Sequence, residues 1–221
     1  MDIADVVTLI DYLLTGTWEE APVTPPDDHE WVDLGLPSGT LWATCNVGAT
    51  IPEEYGDYFA WGETESKEVY NWSTYKWCNG SSTTLTKYCT KSSYGTVDNK
   101  TELDPEDDAA YVNWGENWRM PTLVQQKELF DKCTWTWTTQ NGVNGYLVTG
   151  PKNTLFLPAA GGRDGSSLSG AGSWGNVWSR TLNSSTPDDA GGMYFDSGGV
   201  GRSSSRRYDG FTVRAVRVPQ N

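Results

Sequence analysis

The sequence predicts an α+β domain with few helices, many short strands and long loops. The chain has 24 glycines among its 221 residues, and this abundance favours a loop-rich fold over a helical bundle. Apolar residues recur at helical spacing in few segments, whereas short apolar runs bounded by Gly, Pro, Asn and Ser occur throughout. Twelve Trp, eleven Tyr and five Phe provide bulky side chains for a core. A few helices combined with many short strands indicate the α+β class.

The first predicted element is a helix in residues 1–16, because apolar residues form one stripe over residues 3–14 and Gly16 follows as a stop. The segment IADVVTLIDYLLTG resembles the second half of a dockerin repeat, in which a calcium loop runs into a helix. In that comparison Asp5 is the loop's last, acidic position, and most calcium ligands would precede Met1. A single carboxylate is not expected to bind calcium. An ordinary amphipathic helix explains the stripe equally well, so both readings stay open.

Residues 17–30, TWEEAPVTPPDDHE, are predicted to form an acidic Pro-rich linker to a domain over 31–218. In that domain, EWVDLGLPSGTLWATCNVGA predicts short strands broken by Gly and Pro, and PEEYGDYFAWGE predicts a short helix followed by a turn. Residues 64–104 are polar, contain many aromatic residues and have no clear period. They are expected to form a long, irregular but packed insertion.

A helix is predicted at PTLVQQKELFDKC, where Pro121 suits the first turn. Its expected buried face consists of Leu123, Val124, Leu129 and Phe130. Short strands are predicted after it, at TWTWTT, GYLVTG, TLFLPAA, NVWSRT, GMYFDS and TVRAVRV. The segment GGVGRSSSRR, just before the last strand, resembles a flexible linker. We interpret it as a set of surface positions that neighbouring strands hold in place.

The charge distribution argues against some partners. The net charge is −13, and residues 1–160 hold 24 acids against 9 bases, whereas residues 161–221 hold 5 acids against 7 bases. An acidic body repels phosphates, so no nucleic-acid partner is expected. The longest apolar run is too short for a membrane span. Asp2, Asp5 and Asp11 argue against a secretory h-region, so either the chain is cytoplasmic or a signal was removed before Met1.

Catalytic, metal and cofactor motifs were sought in the sequence. The four cysteines, Cys45, Cys78, Cys89 and Cys133, show no C-x-x-C pairing, and His29 is the one histidine, so no metal site is predicted. Cys78 and Cys89 close a short loop and would form a disulfide in an oxidising compartment; four buried free thiols are the alternative. No G-x-S-x-G elbow or phosphate-binding Gly-Lys-Ser/Thr loop occurs. We therefore expect neither catalysis nor a cofactor.

Four motifs together carry a family resemblance: WVDLGLPSGTLWATCNVGA, YGDYFAWGE, NWRMPT and GFTVRAVRV. They resemble the Fibrobacter succinogenes major paralogous domain over residues 31–218. That family is similar to the C-type lectin fold and to formylglycine-generating enzymes. The resemblance implies that the first and last strands pair and that Arg119 and Thr122 anchor a helix to the sheet. Formylglycine-generating activity needs cysteines late in the domain, and the last one here is Cys133, so that activity is not implied.

The residue usage of 161–218 is unusual. This segment contains no Lys, Glu or Gln, although 8 Lys and 12 Glu occur elsewhere, and seven of the eight Arg follow residue 160. Randomised adenines in AAC-type codons leave a pyrimidine at the third position, and such codons never encode Lys, Glu or Gln. This usage resembles that of the variable proteins of diversity-generating retroelements. Trp174 does not fit the codon rule, and a Gly/Ser-rich surface with a chance deficit remains the alternative.

The function predicted from these features is non-catalytic binding of a protein or glycan ligand, outside the cell or at its surface. The expected variable surface spans residues 162–211, and the oligomeric state is left open. A carbohydrate-binding accessory module of a dockerin-tethered extracellular assembly is the second reading. The candidate ligand-binding residues are Gly162, Asp164, Ser169, Gly170, Asn176, Val177, Arg180, Asp189, Gly191, Asp196, Gly199, Gly201, Arg202, Ser204, Arg206, Asp209 and Phe211.

Overall fold

The structure is a computed structural model that describes residues 29–217. The predicted dockerin-like helix and almost all of the predicted linker lie outside the described residues. Over the described range the fold is α+β, with two α-helices and small antiparallel sheets, as the sequence predicts. No helix in this range is long and apolar enough to cross a membrane.

The elements follow one another along the chain in an order that separates the helices from most of the strands. They are β1 (Trp31–Asp33), β2 (Leu41–Ala43), a 3-10 turn (Pro105–Asp107), α1 (Ala109–Trp114), α2 (Leu123–Lys132), β3 (Thr134–Gln140), β4 (Val143–Thr149), β5 (Thr154–Pro158), β6 (Gly162–Asp164), β7 (Ser167–Ser169), β8 (Trp174–Leu182), β9 (Asp189–Asp196), β10 (Gly199–Arg206) and β11 (Val216–Arg217).

The helix predicted in this part of the chain is α2, and its start has a specific cause. Thr122 caps the helix: its hydroxyl accepts from the Gln125 N–H at 3.2 Å, and the Gln125 side chain accepts from the Thr122 N–H at 2.9 Å. Pro121 therefore precedes the cap and does not lie in the first turn. The predicted buried face is partly wrong, because Val124 is 76% exposed, while Leu129 and the polar Gln126 are buried.

The β3–β4 hairpin shows how local sequence sets strand register. Asn141 and Gly142 connect the two strands, with φ angles of 49° and 86°. Two consecutive positive φ angles produce the turn that matches the twist of paired strands, and Asn-Gly is the residue pair that tolerates them best. The strands predicted at TWTWTT, GYLVTG and TLFLPAA are confirmed as β3, β4 and β5, which form one sheet.

The two ends of the domain meet in the sheet β1-β2-β11. Trp42 of β2 pairs with Val32 on one side and with Val216 on the other. The expectation that the first and last strands pair directly is therefore wrong, because β2 lies between them. The predicted strand TVRAVRV is regular only at Val216–Arg217.

The third sheet has the order β10-β9-β8 and includes the segment that resembles a linker. Residues Gly199–Arg206 pair with Asp196–Asp189 without interruption. Glycine and serine have weak strand propensity, so the ladder to β9 and not the local sequence makes this segment a strand. Because β10 lies at the edge of its sheet, one side of its backbone has no strand neighbour among the described residues.

The core contains four tryptophans that are fully buried: Trp42, Trp61, Trp118 and Trp178. The insertion over 64–104 packs against this core as expected, since Tyr70 and Tyr88 in it are fully buried. The short helix predicted at PEEYGDYFAWGE is wrong; residues 52–54 form a turn and bend. Of the two readings left open for the cysteines, the structure has four free thiols; Cys45 and Cys89 are buried, and Cys78 and Cys133 are half-buried.

Candidate ligand-binding surface

Polar residues from several strands converge on a shallow depression at the β10 edge of the sheet. It has a volume of about 420 Å³, and we call it the polar depression. Its lining comes from β6, the start of β9, the end of β10 and the turn that follows. The lining residues are Asp164, Asp189, Ser204, Ser205, Arg206, Tyr208 and Asp209.

Strand β10 supplies the exposed side of this surface through its two-residue period. Arg202, Ser204 and Arg206 are exposed, while the alternate residues Ser203 and Ser205 are half-buried. The side chain of Ser203 points toward the rest of the sheet, where its hydroxyl donates to Asn176 Oδ1 of β8 at 2.9 Å. The strand is therefore held by one set of residues and presents the other set to solvent.

A fully buried arginine fixes the turn after β10. Arg207 donates from Nε to the Tyr75 hydroxyl at 2.8 Å and from Nη2 to Lys87 O at 3.0 Å. Its Nη1 donates to Tyr88 O at 3.2 Å and to Pro187 O at 3.1 Å. These bonds join the insertion to the end of β10 and satisfy the guanidinium without a carboxylate. The neighbouring Arg206 is thereby forced outward.

The charges in the polar depression are unusual because three carboxylates share one exposed cation, Arg206. Burial and the nearby Asp164 carboxylate raise the pKa of Asp209 to about 7, although Arg206 acts in the opposite direction. Burial and Asp188 likewise raise the pKa of Asp189. Near neutral pH the Asp209 carboxyl is thus present both as the protonated acid, which can donate a hydrogen bond, and as the carboxylate, which can only accept. The depression can pair with both donors and acceptors of a polar ligand.

The predicted site residues separate into groups by exposure. The structure brings five of them to the exposed surface of β6, β7 and β10: Asp164, Ser169, Arg202, Ser204 and Arg206. Another group is half-buried, namely Gly170, Arg180, Asp189, Asp196, Gly199, Gly201 and Asp209. At Gly201 a side chain would meet no atom within 4 Å, so this position is open to substitution.

Other predicted residues are not on the surface, and their inclusion is corrected. Val177 and Phe211 belong to the hydrophobic core, and Asn176 is buried under Ser203. Gly162 and Gly191 are buried where a Cβ would collide with neighbouring side chains.

Gly170 is half-buried but also has no room for a side chain, since its φ is 73° and a Cβ would overlap the Trp174 ring. Arg180 lies on β8, at the opposite edge of the sheet from β10, so it does not contribute to the polar depression.

Sequence reasoning missed several residues of this surface. Tyr208 lines the polar depression, where its hydroxyl accepts from Arg206 Nη1 at 2.9 Å. Trp174 and Tyr194 are half-buried, with ring centroids 6.0 Å apart, and the Tyr194 hydroxyl donates to Asp196 at 2.9 Å. Successive residues of a strand point to opposite faces of the sheet, so in GMYFDS the buried Phe195 implies that Tyr194 points to the other face. This alternation could have identified Tyr194 from the sequence.

One further acidic cluster was tested as a metal site. Within residues 29–217, Asp104, Glu106 and Asp107 are the carboxylates close enough to share one ion. Lys87 Nζ lies 2.6 Å from both Asp104 Oδ2 and Asp107 Oδ2. Lys100 and Lys76 also pair with these two carboxylates, so ammonium groups already balance the charge of the cluster. We therefore assign no metal to it.

Comparison of the chain with protein-family models, with curated proteins and with solved structures gave no match. What the polar depression binds is therefore inferred from its residues and geometry.

Proposed function

We propose that this protein is a non-catalytic ligand-binding protein of the receptor or adhesin type. It presents the polar depression and the exposed residues of β10 to a protein or glycan. The alternation along β10 carries this proposal: Arg202, Ser204 and Arg206 point to solvent, while Ser203 and Arg207 hold the strand. Small polar residues and Arg provide adaptable hydrogen bonding on a rigid scaffold, as in antibody loops.

We further propose a C-type lectin-like scaffold and a surface diversified by a retroelement. Two features support this. The segment 161–218 lacks Lys, Glu and Gln, and all five exposed candidate residues belong to the set that pyrimidine-ending codons encode. Three of those residues, Arg202, Ser204 and Arg206, also alternate along β10 with half-buried residues. Such a protein acts outside the cell or at its surface, without a cofactor.

A displayed library tests the proposal. It would be randomised at Asp164, Ser169, Arg202, Ser204 and Arg206 and selected against a panel of glycans and proteins. We expect most members to fold and different members to bind different ligands. If most members are unfolded, or if binding never depends on these positions, the proposal is refuted. A matched library at five buried positions of β8 and β9 should lose folding.

The second candidate function is carbohydrate binding by a fixed accessory module. The Trp174 and Tyr194 rings favour it, because they are partly exposed, lie 33° from parallel and adjoin the Asp196 carboxylate. An aromatic face beside a carboxylate suits a sugar, which offers both C–H faces and hydroxyls. Glycan-array binding that depends on Trp174 but not on Arg202 or Ser204 would support this function instead.

A further inference from the structure

A second cavity lies at the β8 edge of the sheet β10-β9-β8, opposite the edge that forms the polar depression. It has a volume of about 490 Å³ and is bounded by β8, β11, the start of α2 and the segment before it. Three of the protein's eight arginines line it, Arg119, Arg180 and Arg217. We call it the arginine cavity. Such a concentration is unexpected in a chain of net charge −13.

The guanidinium of Arg119 is held in place by the protein. Its Nη1 donates to Glu116 O at 2.8 Å and to Trp118 O at 2.6 Å, and its plane lies 4.0 Å from the centroid of the Tyr111 ring. The backbone of Arg119 also exchanges hydrogen bonds with Val216 of β11. A fixed guanidinium loses little conformational entropy when it binds an anion.

Arg180 faces the same cavity from β8, and its charge is incompletely compensated. Its Nη2 donates to Leu103 O at 2.9 Å, but its Nε is buried and has no hydrogen-bond partner. The Glu102 carboxylate lies 3.5 Å from this Nε and is itself half exposed to solvent. A buried donor without a hydrogen-bond acceptor costs free energy, and an oxyanion in the cavity would offset part of the charge that Arg180 carries.

The start of α2 adds to the positive potential. Thr122 and Gln125 line the cavity, and the helix N-terminus directs its partial positive charge there. The one carboxylate in the lining is that of Glu116, and the Glu102 carboxylate beside Arg180 lies outside the lining. Glu116 and Gln125 also offer polar groups that can pair with hydroxyls.

We propose that the arginine cavity binds an acidic sugar, a hexuronate, with its carboxylate between Arg119 and Arg180. Guanidinium groups pair with planar carboxylates through two parallel hydrogen bonds. The volume suits one or two sugar residues, and the cavity is open to solvent on one side, so a longer oligosaccharide can extend out of it. Polar and apolar side chains line the cavity in similar measure, and a sugar offers both hydroxyls and C–H faces to such a lining. This inference does not rest on the function proposed for the polar depression.

Calorimetric titration at low salt tests the inference. It compares the affinity for trigalacturonic acid with the affinity for the same trisaccharide in its neutral, fully methyl-esterified form. We expect the acid to bind and the ester to bind at least tenfold more weakly. Gln125→Glu keeps the capping-box acceptor for Thr122 and adds a negative charge to the cavity. This variant loses the hydrogen bond from Gln125 Nε2 to Thr40 Oγ1, so it should stay folded with a small loss of thermal stability. It should lose at least tenfold in affinity, and Arg180→Gln should lose a similar factor. Lys152→Gln removes one positive charge, as Arg180→Gln does, at an exposed side chain outside both cavities; it is the control and should bind normally.

Four results would overturn the inference. They are equal affinity for acid and ester, no binding of the acid at millimolar concentration, full affinity of a folded Gln125→Glu variant, and tighter binding of a tripeptide with a free carboxylate than of the trisaccharide. A negative result here leaves the library experiment on β10 unaffected, because none of the randomised positions lines the arginine cavity.

Discussion

Replacing Asp209 by Asn should stabilise the protein in a pH-dependent way. In the folded state burial and the Asp164 carboxylate raise the pKa of Asp209 from 3.8 to about 7. An acid with a raised folded pKa binds a proton more tightly when folded than when unfolded. The wild-type protein therefore loses stability as pH rises from about 4 through about 7, and the loss is complete above that range. Asn has a similar shape and no charge, so the variant escapes this loss.

The magnitude follows from the size of the shift. A shift of roughly three pKa units corresponds to about 4 kcal/mol if it is taken at face value. Asp209 is only half-buried, so solvent screening reduces the effect, and we expect about 1–2 kcal/mol at pH 8. At pH 4 or below, both proteins carry a neutral group at this position, and their stabilities should be equal.

Urea denaturation at pH 4, 6 and 8 measures this difference. Asp196→Asn is the control of opposite sign. The Gly198 N–H at 2.8 Å and the Tyr194 hydroxyl at 2.9 Å lower the pKa of Asp196, so its contribution is present at neutral pH and is lost in acid. That variant should be less stable than wild type at pH 8 and equal to it in strong acid. An Asp209→Asn variant that is no more stable than wild type at pH 8 would refute the reasoning.

Four further substitutions test the separation between displayed and structural positions. Arg202→Ala, on the exposed side of β10, should change the free energy of unfolding by less than about 0.5 kcal/mol in urea denaturation; a larger loss would contradict the display role. Gly162→Ala places a Cβ in overlap with the ring of the buried Phe211 and should cost about 1–3 kcal/mol by thermal denaturation, whereas Gly201→Ala, with nothing within 4 Å, should cost little. Arg207→Met leaves its buried carbonyl partners without a donor, and chemical denaturation should show a loss of about 3 kcal/mol or more; an unchanged midpoint would show that these bonds are dispensable.

Some elements could be predicted from sequence because their causes are local. Helix α2 starts where Thr122 and Gln125 have capping-box spacing, and the β3–β4 hairpin turns at the Asn141–Gly142 pair. Both signals act within a few residues, so no knowledge of tertiary contacts is required.

Strand β10 could not be predicted because its cause is not local. GVGRSSSR contains one β-branched residue, Val200, and no aromatic residue, so its own strand propensity is weak. The hydrogen-bond ladder with β9 imposes the strand conformation. The doublet Arg206–Arg207 shows the same limit, since one residue is exposed and the next is fully buried. Nothing in the sequence distinguishes two adjacent arginines.

The candidate site was predicted in part. Coding considerations alone placed Val177 and Phe211 on the surface, although their apolar side chains already indicated burial. Glycine was ambiguous: the same residue is sterically required at Gly170 and unconstrained at Gly201. Only the neighbours in space separate these two roles.

Sequencing the 3′ part of this gene across a natural population tests the central claim most directly. If the surface is diversified, substitutions should concentrate at five exposed positions: Asp164, Ser169, Arg202, Ser204 and Arg206. The nucleotide changes should lie at adenine-derived sites of their codons. Gly191, Val177 and Phe211 should not vary. Scattered, mostly silent changes, or frequent replacement of those buried residues, would contradict the claim that a fixed scaffold displays a diversified surface.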